Sequence, residues 1–201
     1  MEDQNLPLIA TLGMSMGAAW VSGVRLYACV ATLGWLANLH WVTLPGNMMV
    51  VAHPVVTWIA TALFDVEFFA DKIAWLDTGW HTVHTFIAIP AGAILASTAF
   101  THYQPWVVVV AFMVGGGVAA TAHAGKMTTR AVLNMSPEPV SNIVASAVGD
   151  VSAPIILAAS IWLPVVGIVI VATLCILTFL VARKLIKSKS LQVTQAEPES
   201  V

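Results

Sequence analysis

Six apolar stretches, five of them close to the length a helix needs to cross a bilayer and the first of them longer, leave this chain few ways to fold. They run Leu6–Leu39, Met48–Val66, Trp80–Phe100, Pro105–His123, Val140–Leu163 and Pro164–Ala182. A hydrocarbon core of about 30 Å takes about 20 residues of helix. Only 9% of the 201 residues are charged, against roughly a quarter in a soluble domain. A soluble fold of this length would still need a polar surface, and the side chains to build one are missing. Lipid is therefore the expected solvent. The expected fold is all-α: a polytopic transmembrane bundle of about six spans with interrupted helices, forming one domain over 1–182.

The net charge of -2 supplies no basic footprint for nucleic acid. Cys29 and Cys175 sit in apolar runs and read as buried thiols, not as a disulfide or metal framework. No cofactor is implied; the bilayer is the expected partner, and a homo-oligomer is allowed. The start, "MEDQNLPLIA", is acidic and lacks the positive region of a cleavable signal, so the first apolar stretch is expected to be retained.

Basic residues set the orientation. "ARKLIKSKS", after the sixth stretch, carries Arg183, Lys184, Lys187 and Lys189 and should be cytoplasmic. The connections holding Lys72 and Lys126 with Arg130 then fall on the same side, whereas "HWVTLPGN" and "THYQ" contain no Lys or Arg. Six spans with both termini inside satisfy every basic residue except Arg25. Residues 183–201 form a basic and then polar tail, expected to be disordered.

A repeat is visible in outline. "GMSMGAAWVSG" (Gly13–Gly23) resembles "GGGVAATAHAG" (Gly115–Gly125), and His53-Pro54 is echoed by Ala153-Pro154. Halves 6–100 and 105–182 would each hold three spans, giving an inverted 3+3 repeat of the kind found in transporters. Ordinary small-residue helix packing explains the same pattern.

Charge gathers in two places. "EFFADKIAWLDTGWHTVH" holds Glu67, Asp71, Lys72, Asp77, His81 and His84 between apolar flanks. Read as helix over 67–76, it puts Glu67 and Asp71 on one face of an amphipathic interfacial segment. "LDTGW" reads as a break capping the third span, with His81 and His84 sharing a face beyond it. "HAGKMTTRAVLNMSPEPVSN" places His123, Lys126, Arg130 and Asn134 on one helical stripe, with Ser136-Pro137 opening the fifth span. The acidic patch and basic stripe either pair and staple the two halves, line a polar path, or are solvated loop charge. Glu67, Asp71, His81 and His84 are suitable donors for a transition metal, but their spacing matches no closed zinc pattern. Interfacial hydrogen bonding is the simpler role for the two histidines.

Three ionisable groups lie deeper: Arg25 beside Gly23, His53 before Pro54, and Asp150 beside Gly149. Intramembrane ionisable groups are functional-site candidates, and an Arg25–Asp150 ion pair holding the bundle is the structural alternative. The adjacent glycines and prolines mark helix breaks that could expose backbone to a solute.

"VEFFADKIAWLDTGWHTVHTFIAIPAGAIL" and "HAGKMTTRAVLNMSPEPVSN" resemble the two signature stretches of the bacterial domain-of-unknown-function 4126 family, and "SGVRLY" fits its N-terminal portion. The resemblance implies a small multi-pass protein of the bacterial inner membrane and carries no activity or residue role. From the residues themselves, a small transporter or channel for an ion or small solute is the leading reading. A membrane enzyme acting on a lipid-linked substrate at the cytoplasmic face and a non-catalytic scaffold are the alternatives. No nucleophile elbow, phosphate loop or HExxH motif supports the enzyme.

Overall fold

The computed structural model describes the backbone over residues 8–70, 74–133 and 139–196, and side chains over 8–69, 85–130 and 144–185. The described residues are helical, with no strand among them. The elements are α1 (Leu8–Asn38), a short 3-10 helix (Gly46–Ala52), α2 (Pro54–Ala70), α3 (Ala74–Thr98), α4 (Pro105–Leu133), α5 (Pro139–Trp162) and α6 (Pro164–Ala196). Four of them open on proline, whose fixed φ and missing N–H suit the first helical position. Among the described residues, α1, α4, α5 and α6 are long and apolar enough to cross a membrane. The 3-10 helix and α2, meeting at 65°, make a fifth crossing if taken together. The part of α3 whose side chains are described, Thr85–Thr98, is a shorter apolar helix.

α1 is not straight. At Arg25 the backbone leaves helical geometry (φ -147, ψ 74). Cys29 Sγ lies 3.5 Å from the carbonyl oxygen of Ala18, 11 residues earlier, a separation that one straight helix would stretch to about 16 Å. Residues 8–24 and 26–38 therefore lie side by side as a hairpin with Arg25 at its apex. A side chain at Gly13 would collide with Pro164, and Gly46, at φ +53, is pressed against Thr98 and Ala99. Leu8 and Leu12 line one groove with Phe100 and Val107. Both ends of α1 thus lie at the end of the bundle that carries the α3–α4 and α5–α6 turns.

Two expectations change as a result. α6 runs from Pro164 towards Arg183, so Leu8 and Arg183 sit at opposite ends of the bundle, and the chain cannot place both on one face. Hydropathy reads the α1 hairpin as a single crossing and miscounts the reversals. The two glycine-rich stretches also fail as an inverted pair. Leu12 lies with Val107 and Val110, and Gly23 meets Ala119 and Ala122, so these stretches run in the same direction. Inverted copies would run opposite ways.

Smaller corrections follow the helix boundaries. "LDTGW" is no break, because α3 runs through it from Ala74. Glu67 belongs to the last turns of α2 and is fully buried, not on an interfacial helix. Ser136-Pro137 lies outside the described residues, and α5 is helical from Pro139. The basic tail, expected to be disordered, continues α6 as helix to Ala196.

α1 packs on every other helix. Of its most apolar stretch 67% is buried, against 11% for α6, so α1 is the hub and α6 faces outward. Close approach depends on small residues, as expected where lipid removes the hydrophobic drive between helices. A Cβ at Gly17 would overlap the Ser160 side chain, whereas Gly117 has nothing within 4 Å. Gly17→Val should lower stability by about 1–3 kcal/mol through overpacking. Gly117→Ala should leave it unchanged or raise it, since Ala is the better helix former. Thermal unfolding of both variants in detergent checks the contrast.

Candidate functional site

The site is built around the break in α1. Gly23 lets α1 reach the backbone of α4 at Ala119. Two residues later the helix ends its first limb, and the carbonyls of Gly23 and Val24 lie at the break. Side chains of α4 donate to both. His123 Nδ1 lies 3.3 Å from the Gly23 oxygen, and Lys126 Nζ donates to the Val24 oxygen at 2.9 Å. A carbonyl only accepts, so His123 carries its hydrogen on Nδ1. In the neutral ring, Nε2 then accepts from the Thr85 hydroxyl at 2.8 Å. Ser22 donates to the Ala88 carbonyl on α3 at 3.1 Å. The break is thus clamped from α3 and α4.

The Arg25 side chain fills the apex and is 1% exposed. Nη2 lies 2.8 Å from Asp150 Oδ1, and Nη1 lies 3.5 Å from Glu67 Oε1. Nη2 also donates to Ser146 Oγ at 3.0 Å. Glu67, itself fully buried, faces Lys126 Nζ at 3.5 Å. Taking an ion out of water costs several kcal/mol even after relaxation, so such charges persist in an apolar bundle only as a mutually supporting set. Helices α1, α2, α4 and α5 each contribute one member.

Two cavities of about 380 Å³ each adjoin this set. The first lies among α1, α4, α5 and α6, with Arg25, Lys126, Arg130, Ser146 and Ser152 in its wall. The second lies among α1, α2 and α5, with Trp35, Thr61, Asp150 and Pro154 in its wall. Arg25 faces the first and Asp150 the second, so their ion pair stands between the two. Thr178 of α6 lines the first cavity. Counted from Pro164, it lies about 21 Å along the helix, roughly two-thirds of the way across a 30 Å core.

The residues picked out from the sequence are placed unevenly. Arg25, Glu67, Lys126 and Asp150 come together, and His123 and Arg130 share the α4 face that carries Lys126. Arg130 is 8% exposed. Asp71, Lys72 and Asn134 lie outside the described residues, and Asp77, His81 and His84 lie on α3 with side chains outside them. His53 is exposed at the bend between the 3-10 helix and α2, about 20 Å of helix from Glu67, and so lies apart from the cluster. Glu67 is held by two cations, which disfavours a further metal cation there. Sequence reasoning missed Ser146, whose signal was its place one turn before Asp150, and the two carbonyls at the break, which carry no side-chain signal.

A helical bundle with a folded-back apolar helix and buried ions at the fold is a multi-pass membrane protein. The chain belongs to the family described as Domain of unknown function (DUF4126), whose model matches residues 12–184. No curated protein and no solved structure matches it.

Losing one partner of a buried pair costs about 3–5 kcal/mol, because the other charge is left behind. Asp150→Asn and Arg25→Gln should each destabilise the protein. Combined, they should lose about 0.5–3 kcal/mol less than the sum of the two. Denaturant or thermal unfolding of the three variants measures this, and strict additivity would deny the pairing.

Proposed function

We propose that the chain is a small transporter or channel for an ion or small solute, whose path crosses the bundle at the Arg25–Asp150 pair. The observation that carries this reading is the pair of cavities meeting at a broken helix. Discontinuous helices supply solute sites in many transporters because they bring polar backbone and charge into the bilayer. A scaffold needs no cavity, and an enzyme at the cytoplasmic face needs one only on that side. The Arg25–Asp150 pair closes the path in this conformation, and opening it requires the two limbs of α1 to move relative to α5.

In this reading the chain has six membrane segments in a bacterial inner membrane, the first of them the α1 hairpin. Basic residues favour the cytoplasm, so Arg183 and Lys184 are inside and both ends of α1 are outside. Leu39→Cys and Gln104→Cys should react with an impermeant maleimide applied from outside the cell, and Lys184→Cys should not. Labelling of Leu39→Cys and Lys184→Cys from the same side would overturn this topology.

Ser152 and Thr32 line different cavities and take no part in the ion pairs. Ser152→Trp and Thr32→Trp should each cut solute passage at least tenfold while leaving abundance in the membrane near normal. Light scattering by proteoliposomes challenged with potassium phosphate, potassium chloride or glycerol reads the flux. Normal flux in both folded variants would remove the path from these cavities.

A further inference from the structure

We propose that the cavity among α1, α2 and α5 binds a small organic cation that carries N–H donors on an apolar body. As a substrate assignment this rests on the transport reading; as a binding site it does not. Among the described residues that line the cavity, Asp150 is the charged one, and no Lys, Arg or His stands with it. Arg25 meets the carboxylate at Oδ1, 2.8 Å away. The Asp150 side chain is still 16% exposed, and Oδ2 takes no hydrogen bond or ion pair from the described residues. A carboxylate has about four acceptor positions, so one guanidinium contact leaves room for a second cation.

Another acceptor belongs to the same residue. Pro154 lies inside α5 and also lines the cavity. It has no N–H to donate to the Asp150 carbonyl four residues earlier, which a regular helix would satisfy. Residue 150 thus has a carboxylate oxygen and a carbonyl oxygen short of donors. Thr32, on α1, adds a hydroxyl to the wall. Thr61 is already engaged. It accepts from Trp35 Nε1 at 3.1 Å and donates to the Thr57 carbonyl at 2.8 Å, which holds the Trp35 ring in place.

The rest of the wall selects the kind of cation. It is largely aliphatic, with Val21, Leu36 and Leu157, and it carries the rings of Trp35 and Phe64. A bare inorganic ion would give up its water here for few oxygens, and among the described residues no three His, Cys, Asp or Glu gather to hold a metal. An organic cation loses less. Its body gains by leaving water for an apolar wall, and its charge is attracted by aromatic rings. A volume of about 380 Å³ falls in the range of small-molecule pockets. Trp35 lies close to the end of α1, and Asp150 lies about 18 Å of helix before the end of α5. The cavity therefore extends from the ion pair towards the end of the bundle with the α5–α6 turn. In the topology proposed above that end is outside, and the cation enters from there.

Benzylguanidinium is the probe, and benzylurea, of nearly the same shape but uncharged, is its control. The full-length protein in detergent is titrated with each by calorimetry, and heats from protein-free micelles are subtracted. Saturable benzylguanidinium binding is expected, about tenfold or more tighter than benzylurea, the factor carried by a charge-assisted contact. Thr32→Trp, which fills the cavity without touching the ion pairs, should abolish it. Pro154→Ala, which returns an N–H to the Asp150 carbonyl, should weaken it about fivefold. Asp150→Asn should weaken it about tenfold or more if the variant folds; if it does not, the other two variants decide. Gly117→Ala, outside the cavity, should not change it.

No saturable binding, equal binding of benzylurea, or binding indifferent to both Thr32→Trp and Pro154→Ala would overturn the site. Displacement by sodium or potassium chloride, with lithium chloride at equal ionic strength inert, would give the cavity to an inorganic ion and overturn it as well. Bound benzylguanidinium that proteoliposomes never pass would keep the site and remove the transport reading. Passage of potassium chloride or glycerol by protein that binds no benzylguanidinium would do the reverse.

Discussion

A guanidinium buried inside an apolar bundle is the constraint on which the rest of this structure depends. Arg25 is almost wholly buried, so other helices must supply its partners. α2 sends Glu67, and α5 sends Asp150 and Ser146. The same residue is where α1 gives up its helix, and the backbone groups at the break need partners of their own. Lys126 links the two demands, donating to the Val24 carbonyl and facing Glu67. Moving any one of these helices would strand a charge or a carbonyl, so the cluster fixes their mutual positions more firmly than apolar packing in lipid could.

The hairpin of α1 follows from that arrangement and organises everything around it. Because α1 doubles back, its limbs occupy the centre and the other helices wrap it. Small residues at Gly13, Gly17 and Gly23 let α5, α6 and α4 come close. Away from these contacts the bundle is less tightly filled, and the spaces beside the apex become the two cavities. The Arg25–Asp150 pair stands between them.

Lys126, Arg130 and Arg25 all line the cavity among α1, α4, α5 and α6. Lys126 and Arg130 are four residues apart on α4, so helical geometry alone puts them on one wall.

Composition alone determined that this chain is a bundle of membrane helices, because too few polar side chains exist to face water. Helical spacing determined that His123, Lys126 and Arg130 share a face, since positions three and four apart coincide on any helix. The deep charges at Arg25 and Asp150 were also legible, because an ion in an apolar run is conspicuous wherever it ends up. Tertiary structure decided the remainder. That α1 reverses at Arg25, that Glu67 leaves the interface to join it, and that His53 lies outside the cluster all depend on contacts between residues far apart in the chain. Hydropathy records how long a segment is and how well it suits lipid, but not its direction. The direction of α1 was decided by where a buried cation could find two carboxylates and where a broken helix could find donors for its carbonyls.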